Sequence, residues 1–223
     1  MAAFNEQLVQ KIDTYIESLF VPPDPALAAN FENAAAAGLP PINVTANQGK
    51  FLYLLARIAG ARRVLEIGTL GGYSTTWLGR ALPAGGRLIS LEFDPVHART
   101  ARQNLAVAGL EAMAEVRVGD AGTSMTAMIE TGEAPFDFIF IDADKSGYVK
   151  YLDLALQLSR SGTVIVADNI IRNGAVMEDN PDDASDRGAK AYNAAAAADP
   201  RLETIALPMF KDKIDGMAIS LVR

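Results

Sequence analysis

The chain has no cysteine and one histidine, His97. The first absence excludes disulfides, thiolate nucleophiles and cysteine-ligated zinc or iron–sulfur centres. The second excludes a zinc site built from two or three imidazoles. A serine–histidine–carboxylate triad would have to use His97, which falls in a helix expected over 95–108 and reads as a surface or half-buried helix position. Any metal must then be held by oxygen, which suits Mg²⁺, Mn²⁺ or Ca²⁺. Basic residues are also in short supply: 20 Lys and Arg against 27 Asp and Glu leave a formal charge of -7. That field repels a phosphate backbone, and no basic run overrides it, so no nucleic-acid partner is expected. No apolar run reaches the ~20 residues that span a bilayer. The stretch MAAFNEQLVQKIDTYIESLF carries acids and amides through its apolar positions, unlike a signal peptide, so a cytoplasmic location without a membrane partner is expected.

What is present is a globular composition, 50% hydrophobic and 21% charged over 223 residues, enough for one sizeable core. Leu8, Ile12, Ile16 and Leu19 share one helical face, and Pro22-Pro23 breaks that helix. An Ala-rich helix follows, running to Gly38. Thr45 with Gln48 three residues on then forms a capping box that opens a third helix, with Phe51, Leu54, Leu55 and Ile58 on one face. From Arg63 onward strands and helices alternate. Strands are expected at 64–67, 87–92, 115–118, 136–141 and 163–167, and a final pair at 202–207 and 216–222. Continuously apolar strands between helices imply a mostly parallel, doubly wound, Rossmann-like α/β sheet of seven strands, ending in an antiparallel strand. The three leading helices are too few and too short for an independent domain. The whole chain, 1–223, is therefore read as one domain, with 1–60 a helical lid or dimer element and 61–223 the Rossmann-like core.

In such sheets ligands sit at the carboxyl ends of the strands. The first strand leads into Gly68-Thr69-Leu70-Gly71-Gly72, where glycines let the backbone turn tightly beside a ligand. The dinucleotide pattern Gly-x-Gly-x-x-Gly needs glycine at position 70, which is Leu, and this counts against a nicotinamide-dependent dehydrogenase. Glu92 ends the second strand, where an acid accepts hydrogen bonds from ribose hydroxyls. A ribose acid without a pyrophosphate turn points to a nucleoside lacking phosphates, with S-adenosylmethionine the common candidate. Asp142 ends the fourth strand, and Asp168-Asn169 end the fifth. Neighbouring strands lie ~4.8 Å apart, so these oxygens can converge on one cation. Singly, each acid reads as a helix cap or a solvated loop residue; the set reads as a metal site.

Val64-Leu65-Glu66-Ile67-Gly68-Thr69 through Gly72-Tyr73-Ser74, then Phe136-Asp137-Phe138-Ile139-Phe140-Ile141-Asp142-Ala143-Asp144-Lys145, then Asp168-Asn169 with Asn173-Gly174, resemble the cation-dependent O-methyltransferases, the family of the caffeoyl-CoA and catechol enzymes. The resemblance runs from about Val44 to Leu221 and implies the class I methyltransferase fold. It implies that Glu66, Gly68, Tyr73 and Ser74 line the methionine end of S-adenosylmethionine. It places Glu92 on the ribose, Asp120 and Ala121 beside the adenine, and Val44 against the cofactor through its backbone. Asp142, Asp168 and Asn169 become the ligands of a divalent cation, Mg²⁺ first, with Asp142 also at the cofactor and in the catalytic set. Lys145 sits by the reacting hydroxyl, where it would take the proton. Two vicinal phenolic oxygens would chelate the ion, and alignment of the reactants would supply much of the rate.

The plant caffeoyl-CoA enzymes carry an aromatic residue where this chain has Arg172. The segment from Arg172 to Asp186 holds Glu178, Asp179, Asp182, Asp183 and Asp186. An anionic CoA tail would meet like charge there, so a small free phenol or catechol is the expected acceptor. Trp77 reads as core packing, and Met177 is left open. A homodimer is expected from the family. The competing readings are a metal-independent small-molecule methyltransferase and a non-catalytic S-adenosylmethionine-binding protein.

Overall fold

The structure, a computed structural model, describes residues 5–133, 135–210 and 214–223. Three helices lead: α1 (Glu6–Phe20), α2 (Pro25–Ala36) and α3 (Ala46–Ile58). Each begins where a side chain replaces missing backbone partners. Asn5 accepts from Leu8 N–H, and Asp24 from Ala26 and Leu27 N–H ahead of Pro25. Thr45 and Gln48 form the complete reciprocal capping box.

The alternating part contains β1 (Arg63–Ile67), α4 (Tyr73–Ala81), β2 (Arg87–Glu92), α5 (Pro95–Val107), β3 (Ala114–Val118), α6 (Ala121–Glu130), β4 (Phe138–Ile141), α7 (Tyr148–Gln157), β5 (Val164–Asp168), α8 (Ala184–Ala198), β6 (Leu202–Phe210) and β7 (Ile214–Val222). Short 3₁₀ turns lie at Lys145–Gly147 and Arg172–Met177. The seven strands order as β3-β2-β1-β4-β5-β7-β6. β1 to β5 are parallel, and β7 is antiparallel to both β5 and β6. This is the doubly wound α/β sheet expected.

Side-chain alternation distributes the two cores. Leu65, Ile67, Ile89, Ile139 and Ile141 pack on one face against Met125, Tyr148, Leu152 and Tyr192. Val64, Leu88, Phe138, Phe140 and Val166 pack on the other against Leu52, Trp77, Leu78 and Leu105. Truncating one such side chain to alanine typically costs about 2–5 kcal/mol. Trp77 belongs to this second core, as expected; it lies so tightly on α3 that a Cβ at Gly49 would come within 2.3 Å of it.

The strand ends differ from expectation in two places. β4 begins at Phe138 rather than Phe136, because the Asp137 carboxylate takes over part of the ladder, accepting from Arg62 and Arg63 N–H at 2.8 and 2.9 Å. β6 and β7 run longer than expected and pair without a slip from Leu202↔Val222 to Phe210↔Ile214, while the connection between them lies outside the described residues.

Candidate active site

The carboxyl ends of the parallel strands open into a cleft of about 880 Å³. Every residue expected at the cofactor or metal lines it except Glu66. Glu66 shares its face of β1 with Val64 and points toward α4. There it is fully buried, accepting from Ser74 Oγ (2.6 Å) on one oxygen and from Thr75 Oγ1 (2.5 Å) and Ser90 Oγ (2.6 Å) on the other. Burial pushes its carboxyl up to about 7, against the pull of the three hydroxyls. Glu66 therefore stands one shell behind the cleft and fixes Ser74, which does line it.

The Gly-rich turn is built around two contacts. Gly68 has φ +98, and a Cβ there would lie 2.0 Å from the Asp142 carbonyl oxygen, so only glycine lets β1 end this close to β4. Leu70, the residue that breaks the dinucleotide pattern, adopts φ 48. Its N–H donates to Glu92 Oε2 at 2.7 Å, the Thr69 N–H donates to the same oxygen at 3.1 Å, and Glu92 Oε1 accepts from Asp94 N–H at 2.9 Å. The acid at the end of β2 thus shapes the turn while facing the cleft. His97 Nδ1 lies 3.5 Å from Glu92 Oε1 at the rim, half-buried on α5 as expected. Tyr73 stacks near Phe31 of α2, with ring centroids 4.6 Å apart. Val44 is buried just ahead of the capped helix. Asp120 caps α6 by accepting from Thr123 N–H at 2.7 Å, immediately before Ala121.

On the other side of the cleft, Ile141 pairs with Ala167, so Asp142 and Asp168 stand level at the ends of adjacent strands. Tyr148 Oη ties those ends together by donating to the Ile141 and Asp168 carbonyls at 3.1 and 2.9 Å. Lys145 Nζ donates to Asp142 Oδ1 at 2.8 Å and to the Ala143 carbonyl at 3.0 Å, and lies over the Tyr148 ring. Helix α8 presses on this turn so closely that a Cβ at Gly188 would meet the Lys145 carbonyl at 2.1 Å. Burial, and then the Asp142 charge, push the Asp168 carboxyl up, while the Lys145 ammonium pulls it down. Asn169 follows at φ 57, its N–H donating to Asp168 Oδ1 at 2.8 Å.

Among the described residues, no three His, Asp or Glu side chains converge as a cation cage. The oxygens present are two level carboxylates and one amide, with a lysine ammonium already paired to Asp142. That donor set fits a hard divalent ion.

Asp144, Asp215 and Met209 are among the cleft residues that carried no assignment from sequence. Asp144 lies inside a recognised motif; its carboxylate accepts from Tyr151 Oη, Ser146 Oγ and Gly147 N–H at 2.5, 2.9 and 3.0 Å. Asp215 of β7 accepts from Ile171 and Arg172 N–H at 3.1 and 3.0 Å, and so holds the loop after β5. Met209 of β6 lies opposite Asp215, and only the strand pairing brings these two to the cleft. Arg172, at φ 55, turns its Nε to Asp186 Oδ1 at 2.7 Å, so part of the acidic segment is neutralised from within. Met177 is largely exposed and does not line the cleft.

Comparison with known proteins places this geometry. The O-methyltransferase family profile matches residues 23–222. A catechol O-methyltransferase of Niastella koreensis is 46% identical over 98% of this chain and all of its own length. The catechol O-methyltransferase of Mycobacterium tuberculosis is 45% identical over 95% of each chain. An O-methyltransferase from Bacillus cereus, solved in complex with SAH, superposes with a TM-score of 0.96 at 42% identity, covering 98% of this chain and all of that one.

Proposed function

This chain belongs to the O-methyltransferase family and is an S-adenosylmethionine-dependent O-methyltransferase, and from that premise we propose that it methylates a hydroxyl of a small catechol-like phenol with the help of a divalent cation. The observation that carries the reading is the single cleft in which Glu92, Asp142, Lys145, Asp168 and Asn169 face one another. S-adenosylmethionine, when bound, supplies an electrophilic methyl group on a sulfonium. A Mg²⁺-like ion held by Asp142, Asp168 and Asn169 would supply charge neutralisation for the two phenolic oxygens and fix their position.

The remaining work falls to the chain itself. Glu92 offers carboxylate oxygens to the ribose. Ser74, held by Glu66, and Tyr73 bound the methionine end, while Val44 contacts the cofactor through its backbone. Asp120 and Ala121 bound the adenine. Lys145, fixed by Asp142 and the Ala143 carbonyl, receives the hydroxyl proton at Nζ when it stands as the neutral amine. The oxygen so freed is aligned with the methyl group, and the alignment lowers the barrier by removing rotational and translational searching. The same reading takes the chain as one domain, residues 1–60 forming a lid or dimer element, and the protein as a cytoplasmic homodimer.

Methylation of a catechol such as caffeic acid, measured with S-adenosylmethionine and Mg²⁺ and again with EDTA, tests this. Product that vanishes with EDTA is expected. Product indifferent to EDTA would instead favour the metal-independent reading, for which the Lys145–Asp142 pair is the supporting observation, since it already gives Asp142 a cation.

A further inference from the structure

A second cavity of about 540 Å³ lies between α1, α3 and the end of β6. Its walls are mainly apolar, with Ile12, Ile16 and Phe20 from α1, Phe51 and Leu54 from α3, and Pro208 beside Met209, and Asp13, Thr45 and Asn47 also line it. The Lys50 ammonium at its edge is engaged by the Phe20 carbonyl. This groove adjoins the reaction cleft, and Gln48 and Met209 line both.

These two side chains form the partition. Gln48 is held in place by its capping role, its Oε1 accepting from Thr45 N–H at 2.8 Å, which turns its Nε2 toward Met209 Sδ at 3.6 Å. Met209 pairs with Asp215 in the β6–β7 ladder, and Asp215 lies two residues from Met217, the partner of Asp168. The partition is therefore roughly 7 Å along β7 and two strand spacings, about 10 Å, across from Asp168. An unbranched thioether is the side chain best able to swing aside for a ligand.

We propose that the groove is a distal acceptor subsite, entered past Gln48 and Met209, and that it takes an apolar alkyl or aryl arm on the phenolic ring. The inference rests on the catechol-type reading of the cleft. It makes hydrophobic substituted phenols better substrates than bare catechol.

A series of 4-alkylcatechols of increasing length tests it, with kcat/KM measured for the native protein and for Ile12→Arg and Leu54→Arg. Both side chains are partly exposed and stand on different helices, so a folding defect in one leaves the other informative. Each variant is scored as the ratio of long-chain to bare catechol, so a general loss of activity cancels. The native ratio should rise about fourfold for each methylene buried in the groove and then level off. In both variants the rise should collapse toward none. A flat native series, with bare catechol still turned over, overturns the subsite and leaves the catechol reading intact. A rise that survives both substitutions overturns it equally. Absence of turnover with every catechol removes the catechol reading and the subsite with it. If the native series is flat and sedimentation shows that Ile12→Arg or Leu54→Arg splits a dimer, the groove is a contact between two copies of the chain.

Discussion

The two sides of the cleft treat their carboxylates differently. On the β1–β2–β3 side, Glu66, Glu92 and Asp120 are met by hydroxyls and backbone N–H groups within a few residues of the Gly-rich turn or of a helix start. On the β4–β5 side, Asp142 and Asp168 stand level with each other, and the lysine ammonium is the cation set beside them. The first side uses acids to shape a surface that a neutral, hydroxyl-rich nucleoside fits. The second concentrates negative charge at a place that favours a cation and holds Lys145, to which we assign the acceptor's proton. Backbone strain divides the same way: past Leu70, the left-handed non-glycine residues among those described are Asn169, Arg172 and Asn173, all in the loop that follows β5.

The sharpest way to separate the sides is Lys145→Met, which keeps the apolar stem over Tyr148 and removes the ammonium. Turnover should fall about 10²–10⁴-fold, the range for loss of a positioned general base. S-adenosylmethionine affinity, measured by calorimetry, should stay within about threefold, because no atom of Lys145 bonds to the turn that Glu92 organises. Parallel losses in affinity and turnover would mean that the two sides do not work separately.

A smaller effect lies with Glu66, the one acid of the first side that is wholly buried. A glutamate ordinarily titrates near 4.5, and here it is pushed up to about 7. The folded state therefore holds a proton that the unfolded chain has released. This contribution to stability is fully present below pH 4.5 and is lost as the pH rises through 7. The interval corresponds to about 3 kcal/mol for a group this buried. Urea midpoints taken from pH 4.5 to 8 should fall more steeply in the native protein than in Glu66→Gln. Asp168 adds a slope of the same sign, so the variant should flatten the curve without levelling it. Identical slopes would remove Glu66 from the account.

The sheet was legible because apolar strands, glycine turns and capping residues are local signals, and nearly every strand lies within two residues of where the pattern puts it. β6 is the exception, running three residues past its expected end, and β4 starts two residues late because Asp137 bonds backwards to Arg62 and Arg63, a tertiary contact across 75 and 74 positions. The cleft was legible as far as its residues sit at strand ends. Glu66 shows the limit. It is part of a recognised motif, yet parity along β1 turns it away from the cavity, and only the register with Ser90 reveals what it touches. Asp215 and Met209 were beyond reach for the opposite reason. They lie at the far end of the chain, in a hairpin with no marking composition, and come to the site through antiparallel pairing.

Asp120 gives the finest test of the contrast, because a helix cap and a proposed cofactor contact fall on one exposed carboxylate. It caps α6 through Thr123 N–H, and the hydrogen bond from the Thr123 hydroxyl (2.8 Å), ahead of the one from its N–H, holds its carboxyl below the usual range. Asp120→Ala removes the cap and should lower stability by about 1 kcal/mol. Asp120→Asn keeps a capping oxygen and should restore most of that loss. S-adenosylmethionine affinity then reads the second job separately. If the side chain also accepts a hydrogen bond from the adenine, Asp120→Ala weakens binding beyond what the loosened helix explains, and Asp120→Asn recovers only part of it, since the amide is a weaker acceptor than the carboxylate. If affinity merely follows the stability of the two variants, Asp120 acts as a helix cap alone, and the acids that shape the first side for the cofactor reduce to Glu92 and, through Ser74, Glu66.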